Sequence, residues 1–265
     1  MGSASRQALS ASRAELSALG GNVELATAEQ LFAAVQAIGG SLQLRAILAD
    51  ASTEPSVKKA AITAVFGSTL GTTALELLAA ASSRRWSSDG DLLGGIEEIG
   101  IRAAAASASP QADIEAELFA FGRAVSSNPE LELAVGSKLG DASSKISLVN
   151  ALLEGKVSLQ TMAIVRQIVR QPRGRRIGAL LRYAASIVAD QSGLSVATVT
   201  TAKPIAAEQL VRLQKGLSKT YGTQVRINVV IDPSVIGGIR VQVGDDVIDG
   251  SVASRITELR LQLTG

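Results

Sequence analysis

Cysteine and histidine are both absent from this 265-residue chain. With them go disulfides, thiolate and imidazole metal ligands, the Ser-His-Asp triad, the Cys-His dyad and every imidazole acid-base mechanism. Aromatic residues make up only 3% of the sequence, too few to build a base-stacking surface or an aromatic-lined pocket, so no nucleic-acid ligand is expected. Long apolar runs are missing as well. The longest stretch without charge, residues 60–75, is shorter than the roughly 20 apolar residues of a spanning helix, and Gly67, Ser68, Thr69, Gly71, Thr72 and Thr73 interrupt it. It reads as two helices joined by a turn, and no direct membrane insertion is expected. The start, Met1-Gly2-Ser3-Ala4-Ser5-Arg6, has Arg where a myristoylation motif wants Ser or Thr, and no apolar leader segment follows. Charge of one sign is also lacking: 26 basic residues face 24 acidic ones for a net +2, which gives no strong field for a polyanion. The local exception is the basic run Arg170-Gln171-Pro172-Arg173-Gly174-Arg175-Arg176. It reads either as a solvated loop between helices or as a site for phosphate or an acidic partner.

What is present is aliphatic. Hydrophobic residues are 46% of the chain and charged ones 19%, enough for a sizeable core of Ala, Leu, Ile and Val and too little charge for disorder. Periodicity predicts helices near 5–19, 27–38, 41–49, 55–66, 70–82, 88–108, 112–126, 129–139, 142–153, 157–170 and 175–191. Pro55 and Pro129 sit at helix starts, where a missing N–H costs nothing, and Asn128 suits a cap. The helices also repeat. Glu29-Gln30-Leu31-Phe32-Ala33, Leu44, Asp50, Lys59, Ile62, Arg84-Arg85 and Leu92-Leu93 are echoed by Glu117-Leu118-Phe119-Ala120, Leu131, Asp141, Lys145, Leu148, Arg175-Arg176 and Leu180-Leu181. The offset of roughly 86 to 91 residues predicts an internal duplication, with the helix near 88–108 closing the first copy and opening the second.

After Gln191-Ser192-Gly193 the period changes to two. Leu194, Val196 and Thr198 share one strand face, a helix near 206–220 follows, and Val225, Ile227, Val229 and Ile231 alternate along a second strand. Asp232-Pro233 ends that strand, Gly237-Gly238 supplies backbone angles closed to other residues, and Ile239, Val241 and Val243 form a third. Gly244-Asp245 has the form of a two-residue hairpin turn into Asp246-Val247-Ile248. Ser251 suits a helix cap, and Val252, Ile256, Leu259 and Leu263 then fall on one stripe. The fold class is therefore mostly α: tandem bundles of about eleven helices, then a small α/β domain with a βαβ-like start, three to four strands and two helices. The expected division is 1–90, 91–193 and 194–265.

Little of this suits chemistry. Asp232, Asp245, Asp246 and Asp249 read as turn and strand-end residues, with a carboxylate enzyme or a Ca²⁺ site as the other reading. Gly237-Gly238 lacks a P-loop frame and precedes a strand, so no nucleotide is expected there. No cofactor, metal or catalytic residue is assigned.

The run Asp232-Pro233 through Ile236-Gly237-Gly238-Ile239-Arg240-Val241 to Gly244 and Ile248-Asp249-Gly250-Ser251 resembles the C-terminal signature of the delta subunit of F-type ATP synthase, the oligomycin-sensitivity protein of mitochondria. Upstream, Leu131 to Leu139, Lys145, Leu148, Leu152-Leu153 and Arg175-Arg176 to Leu180-Leu181 fit that family's helical region, and the long, duplicated form resembles actinobacterial members. The resemblance implies a non-catalytic stator subunit at the cytoplasmic face of the cell membrane. It would cap the catalytic head by holding N-terminal segments of alpha subunits and grip the C-terminal end of the b subunit of the peripheral stalk. Carried onto this sequence, it puts Ile96, Ile99, Met162, Val165 and Ile168 in an alpha-segment groove of the second bundle, and Val252, Ile256, Leu259 and Leu263 against b. Each aliphatic side chain so buried contributes about 1.5–3 kcal/mol; the same C-terminal stripe is equally suited to packing on its own sheet. Asp232, Pro233, Gly237, Gly238, Gly244, Asp249 and Ser251 are the structural members of the signature. The competing classes are a helical-repeat adaptor unrelated to ATP synthase, which has no reason to carry the Gly237-Gly238 module, and a helical transferase or hydrolase using carboxylates.

Overall fold

A computed structural model describes residues 1–109, 111–137, 140–235, 237–243 and 246–250. The chain divides into two compact units, Met1–Val188 and Ala189–Gly265. Among the described residues eleven α-helices begin in the first: α1 (Ser3–Ala18), α2 (Leu25–Gly40), α3 (Leu42–Ala49), α4 (Pro55–Phe66), α5 (Thr72–Ser83), α6 (Asp89–Ala106), α7 (Ile114–Ser127), α8 (Pro129–Gly136), α9 (Ala142–Leu153), α10 (Leu159–Arg170) and α11 (Ile177–Gln191). Each falls within a few residues of its expected place. Among the described residues no single helix is long and apolar enough to cross a membrane; the bent pair α2 and α3 passes by composition, but α2 spends its apolar face on α6.

The duplication is visible helix by helix. The starts of α3, α4 and α5 (42, 55, 72) recur 87 residues later in α8, α9 and α10 (129, 142, 159), and the caps recur with them. Ser41 Oγ accepts from Leu44 N as Asn128 Oδ1 accepts from Leu131 N. Gln30 Oε1 accepts from Gly71 N at the start of α5, and Glu117 Oε2 accepts from Ser158 N at the start of α10, again 87 positions apart. The echo of Lys145 is Lys58, not the neighbouring Lys59 expected from the sequence. Lys58 and Lys145 both occupy the fourth position of their helices, are both buried, and both donate Nζ to a carbonyl at the end of the preceding short helix, Leu48 O at 2.7 Å and Ser137 O. A cation there satisfies carbonyls that the helix leaves unpaired. Lys59 follows one position later in the same helix, on its exposed face.

The two copies share one core. Buried side chains run without a break from Leu9 and Leu16 of α1 through Leu31, Val35 and Ile38 of α2 to Leu118, Val149, Ile164 and Leu181. The common member is α6, which packs against α1, α2, α3 and α5 and also against α10. Its Ser88 cap and the carboxylates of Asp89 and Asp91 in its first turn suit the positive end of the helix dipole. Two glycines let neighbours close in: a Cβ on Gly95 would fall within the Trp86 ring, and one on Gly100 would lie 2.6 Å from Phe32.

In the second unit β1 (Leu194–Thr201), α12 (Ala207–Tyr221) and β2 (Gln224–Ile231) form a βαβ turn with β1 and β2 parallel. β3 (Ile239–Val243) lies antiparallel on the other side of β1, with Thr201 opposite Ile239, and β4 (Asp246–Asp249) closes the order β2-β1-β3-β4. Ala197, Val199, Val241 and Val243 turn one face toward Leu213 and Leu217 of α12, giving this unit its own small core.

Candidate functional site

The chemistry of the helical unit is concentrated on α6, where Glu97, Glu98 and Arg102 are buried. A buried carboxylate is stable only when paired and hydrogen-bonded, and both are. Glu98 Oε1 takes Arg13 of α1 (2.6 Å) and Arg102 of its own helix (2.9 Å), and Oε2 accepts from Tyr183 Oη of α11 at 3.1 Å. Glu97 Oε1 accepts from Gln167 Nε2 of α10 at 3.0 Å, and its Oε2 pairs with Arg173 and, at 3.7 Å, Arg175. Gln167 Oε1 in turn accepts from Gln36 Nε2 of α2 at 2.7 Å, and Gln36 accepts from Arg170 at 3.2 Å. A polar seam thus crosses the core where the copies meet, tying α1, α2, α10, α11 and the loop 171–176 to the shared helix.

Tyr183 reports on that seam. Withdrawal of its hydroxyl from water, followed by the charge and hydrogen bond of Glu98, raises its pKa from 10.0 to about 12. A pKa raised on folding means the phenol contributes stability that is complete below the unfolded value near 10 and disappears as pH climbs through about 12. Thermal melts between pH 9 and 12 are expected to fall more steeply for the native chain than for Tyr183→Phe; parallel curves would show that folding does not raise the phenol's pKa.

Beside the seam, Glu29, Phe32, Ala33 and Gln36 of α2 face Ala163, Arg166, Gln167 and Arg170 of α10 across a cleft of about 210 Å³. The five aliphatic residues expected to line an alpha-segment groove, Ile96, Ile99, Met162, Val165 and Ile168, are instead all buried in the helical core, none more than 7% exposed. These faces are covered from within the chain, since α6 packs on α1, α2, α3, α5 and α10, and α10 packs on α6, α7, α9 and α2. Of the seam, only the basic run containing Arg170, Arg173 and Arg175 stands out in the sequence, and not Glu97, Glu98, Arg102, Gln167 or Tyr183. The available signal was the pair Glu97-Glu98 inside the apolar run Ile96 to Ile101.

Of the signature residues, Gly237 and Gly238 adopt φ of 66° and 77°, conformations that L side chains rarely hold. Asp232 folds into an Asx turn, its Oδ1 accepting from Ser234 N at 2.9 Å and its backbone N–H donating to Thr201 O at 2.8 Å. Hydrogen bonds from Ser234 hold that carboxyl below the usual aspartate range. Pro233 follows in the turn, and Asp249 pairs with Arg240 across the β3–β4 ladder. Gly244 and Asp245, with the hairpin turn expected there, lie outside the described residues. Ser251 and the stripe Val252, Ile256, Leu259 and Leu263 also lie outside them.

A duplicated helical core whose buried charges are paired with one another, followed by a small mixed sheet with turn aspartates and glycines, defines a two-unit helical-repeat protein. Among the described residues no group of three or more acids could hold a metal ion. The chain belongs to the ATP synthase delta (OSCP) subunit family, whose model matches residues 101–263. It is 52% identical to the ATP synthase subunit delta of Leifsonia xyli subsp. xyli over 265 residues, covering 100% of both chains. It is 37% identical to that of Streptomyces avermitilis over 98% of this chain and 97% of the relative, and 35% identical to that of Kineococcus radiotolerans over 90% and 88%. The family model begins within α6, at the opening of the second copy, while these relatives also match the first copy. The chain is a non-catalytic stator subunit that links the catalytic head to the peripheral stalk.

Proposed function

We propose that the helical unit holds N-terminal segments of alpha subunits, that the C-terminal unit grips the C-terminal end of b, and that the chain works in this way at the cytoplasmic face of the cell membrane. The observation that carries the first assignment is the cleft between α2 and α10. It adjoins the shared helix, combines apolar Phe32, Ala33 and Ala163 with Gln36, Arg166 and Arg170, and so suits one face of an amphipathic helix. Ile96, Ile99, Met162, Val165 and Ile168 serve this site as its packed support. Both copies contribute a wall, so the first copy takes part in head binding as well as adding a surface for the stalk. Val252, Ile256, Leu259 and Leu263 remain the stripe assigned to b.

A titration of the intact chain with peptides from the alpha N-terminus and the b C-terminus tests this. Ala33→Glu places a carboxylate at the cleft and is expected to weaken alpha-peptide binding by about tenfold, 1.4 kcal/mol, while leaving b-peptide binding unchanged. Saturable alpha binding that ignores Ala33→Glu would remove the cleft from the mechanism, and no saturable binding of either peptide would remove the assignment of both surfaces.

A further inference from the structure

We propose that the groove between α8 and the basic loop 172–177 is a second docking surface, and that its occupant is an acidic segment of a neighbouring synthase subunit carrying an aliphatic residue beside its carboxylate. The proposal rests on the chain's membership in the synthase and not on where alpha and b bind.

The loop is built at a conformational cost. Arg173 is the one non-glycine residue with positive φ (48°) among the described residues, followed by Gly174 at 77°, and Arg175 N closes the turn on Pro172 O at 2.9 Å. A left-handed arginine is rarely used where glycine or asparagine would serve, and strain of this kind collects at clamps and recognition loops. Here it lets Arg173 reach Glu97 while Arg175 and Arg176 line a groove of about 410 Å³ with Pro129, Glu132 and Leu133 of α8. Leu133 is 71% exposed at that groove. Arg175 is only partly committed: its contact with Glu97 is 3.7 Å, and its guanidinium lies 6.0 Å from the Tyr183 ring centre. Arg176 makes no ion pair among the described residues. Two cations against one Glu132, beside an open leucine, complement an acid flanked by an apolar side chain.

The first copy differs at the corresponding place. The positions equivalent to Glu132 and Ile177 are Arg45 and Asp89, 87 and 88 residues earlier, and there an ion pair at 3.2 Å closes the corresponding place. At that place the second copy has Glu132 and Ile177 lining an open groove with Arg175 and Arg176. Because Arg175 also touches Glu97, an occupant there bears on the seam that joins the copies.

The test is photo-crosslinking in the assembled synthase, with Leu133→benzoylphenylalanine and the equivalent first-copy position, Ala46→benzoylphenylalanine, as control. The expected result is a crosslink from position 133, and not from 46, to a subunit segment with Asp or Glu beside an aliphatic residue, its yield falling about fivefold or more in Arg176→Glu. No crosslink at 133, a crosslink to a segment without acids, or a yield indifferent to Arg176→Glu would overturn the proposal. So would crosslinking only to lipid, with Arg176-dependent adsorption of the free chain to anionic vesicles, since the groove would then read a headgroup.

Discussion

Glu98→Ala is expected to destabilise the helical unit by roughly 3–5 kcal/mol, the cost of breaking a buried charge network by removing one partner. The residue accepts from Arg13, Arg102 and Tyr183 at once, and Arg102 is itself buried. The substitution therefore strips the carboxylate that three helices share and leaves a buried guanidinium with fewer partners. In a unit of this size that is a fall in melting temperature on the order of 10 °C. The double substitution Glu98→Leu with Arg102→Leu separates charge from packing: it removes both buried charges and is expected to recover much of the loss, because well-packed apolar replacements of buried ion pairs are often neutral. If Glu98→Ala melts within about 1 kcal/mol of the native chain, the network is not holding the copies together.

Phe32→Ala is expected to cost about 3–5 kcal/mol, the range for truncating a buried phenylalanine. Phe32 sits where α2 crosses α6, and its ring occupies the space that Gly100 leaves by having no side chain. Gly100→Ala should fail for the opposite reason. Its methyl would meet Phe32 atoms at 2.6 and 2.9 Å, an overpacking cost of about 1–3 kcal/mol. The two faults are complementary, so Phe32→Leu combined with Gly100→Ala should be more stable than the sum of the single changes predicts, as measured in a denaturant double-mutant cycle. Strict additivity would mean that the ring and the helix do not meet there.

Helix positions and the duplication were legible because prolines, caps and charged landmarks keep their spacing under drift in the loops. Lys58 shows the limit of such reading. Lys58 and Lys59 are indistinguishable as letters, and only the direction of the side chain from the first turn of α4 says which one reaches Leu48 O. The βαβ start and the left-handed Gly237-Gly238 were also readable, since proline and glycine constrain the backbone locally. The placement of β1 between β2 and β3 was not, because strand order depends on long-range pairing. The burial of the five aliphatic positions assigned to a groove has a physical cause. The spacing of Ile96, Ile99, Met162, Val165 and Ile168 marks an apolar face, but periodicity does not distinguish a face covered by a partner from one covered by other helices of the same chain. Glu97 and Glu98 were passed over because acids on a helix usually mean solvent, and their burial depends on Gln167, Arg173 and Tyr183, which are 70 to 85 residues away.

The most direct test of the stator role is retention of b on the catalytic head. Head complexes stripped of this subunit are immobilised, and a soluble b polypeptide is added with and without the intact chain. The expected result is that b stays on the head only when the chain is present, and is released when excess alpha N-terminal peptide displaces it. A chain that binds the head or b, but never both together, would contradict the role of linker.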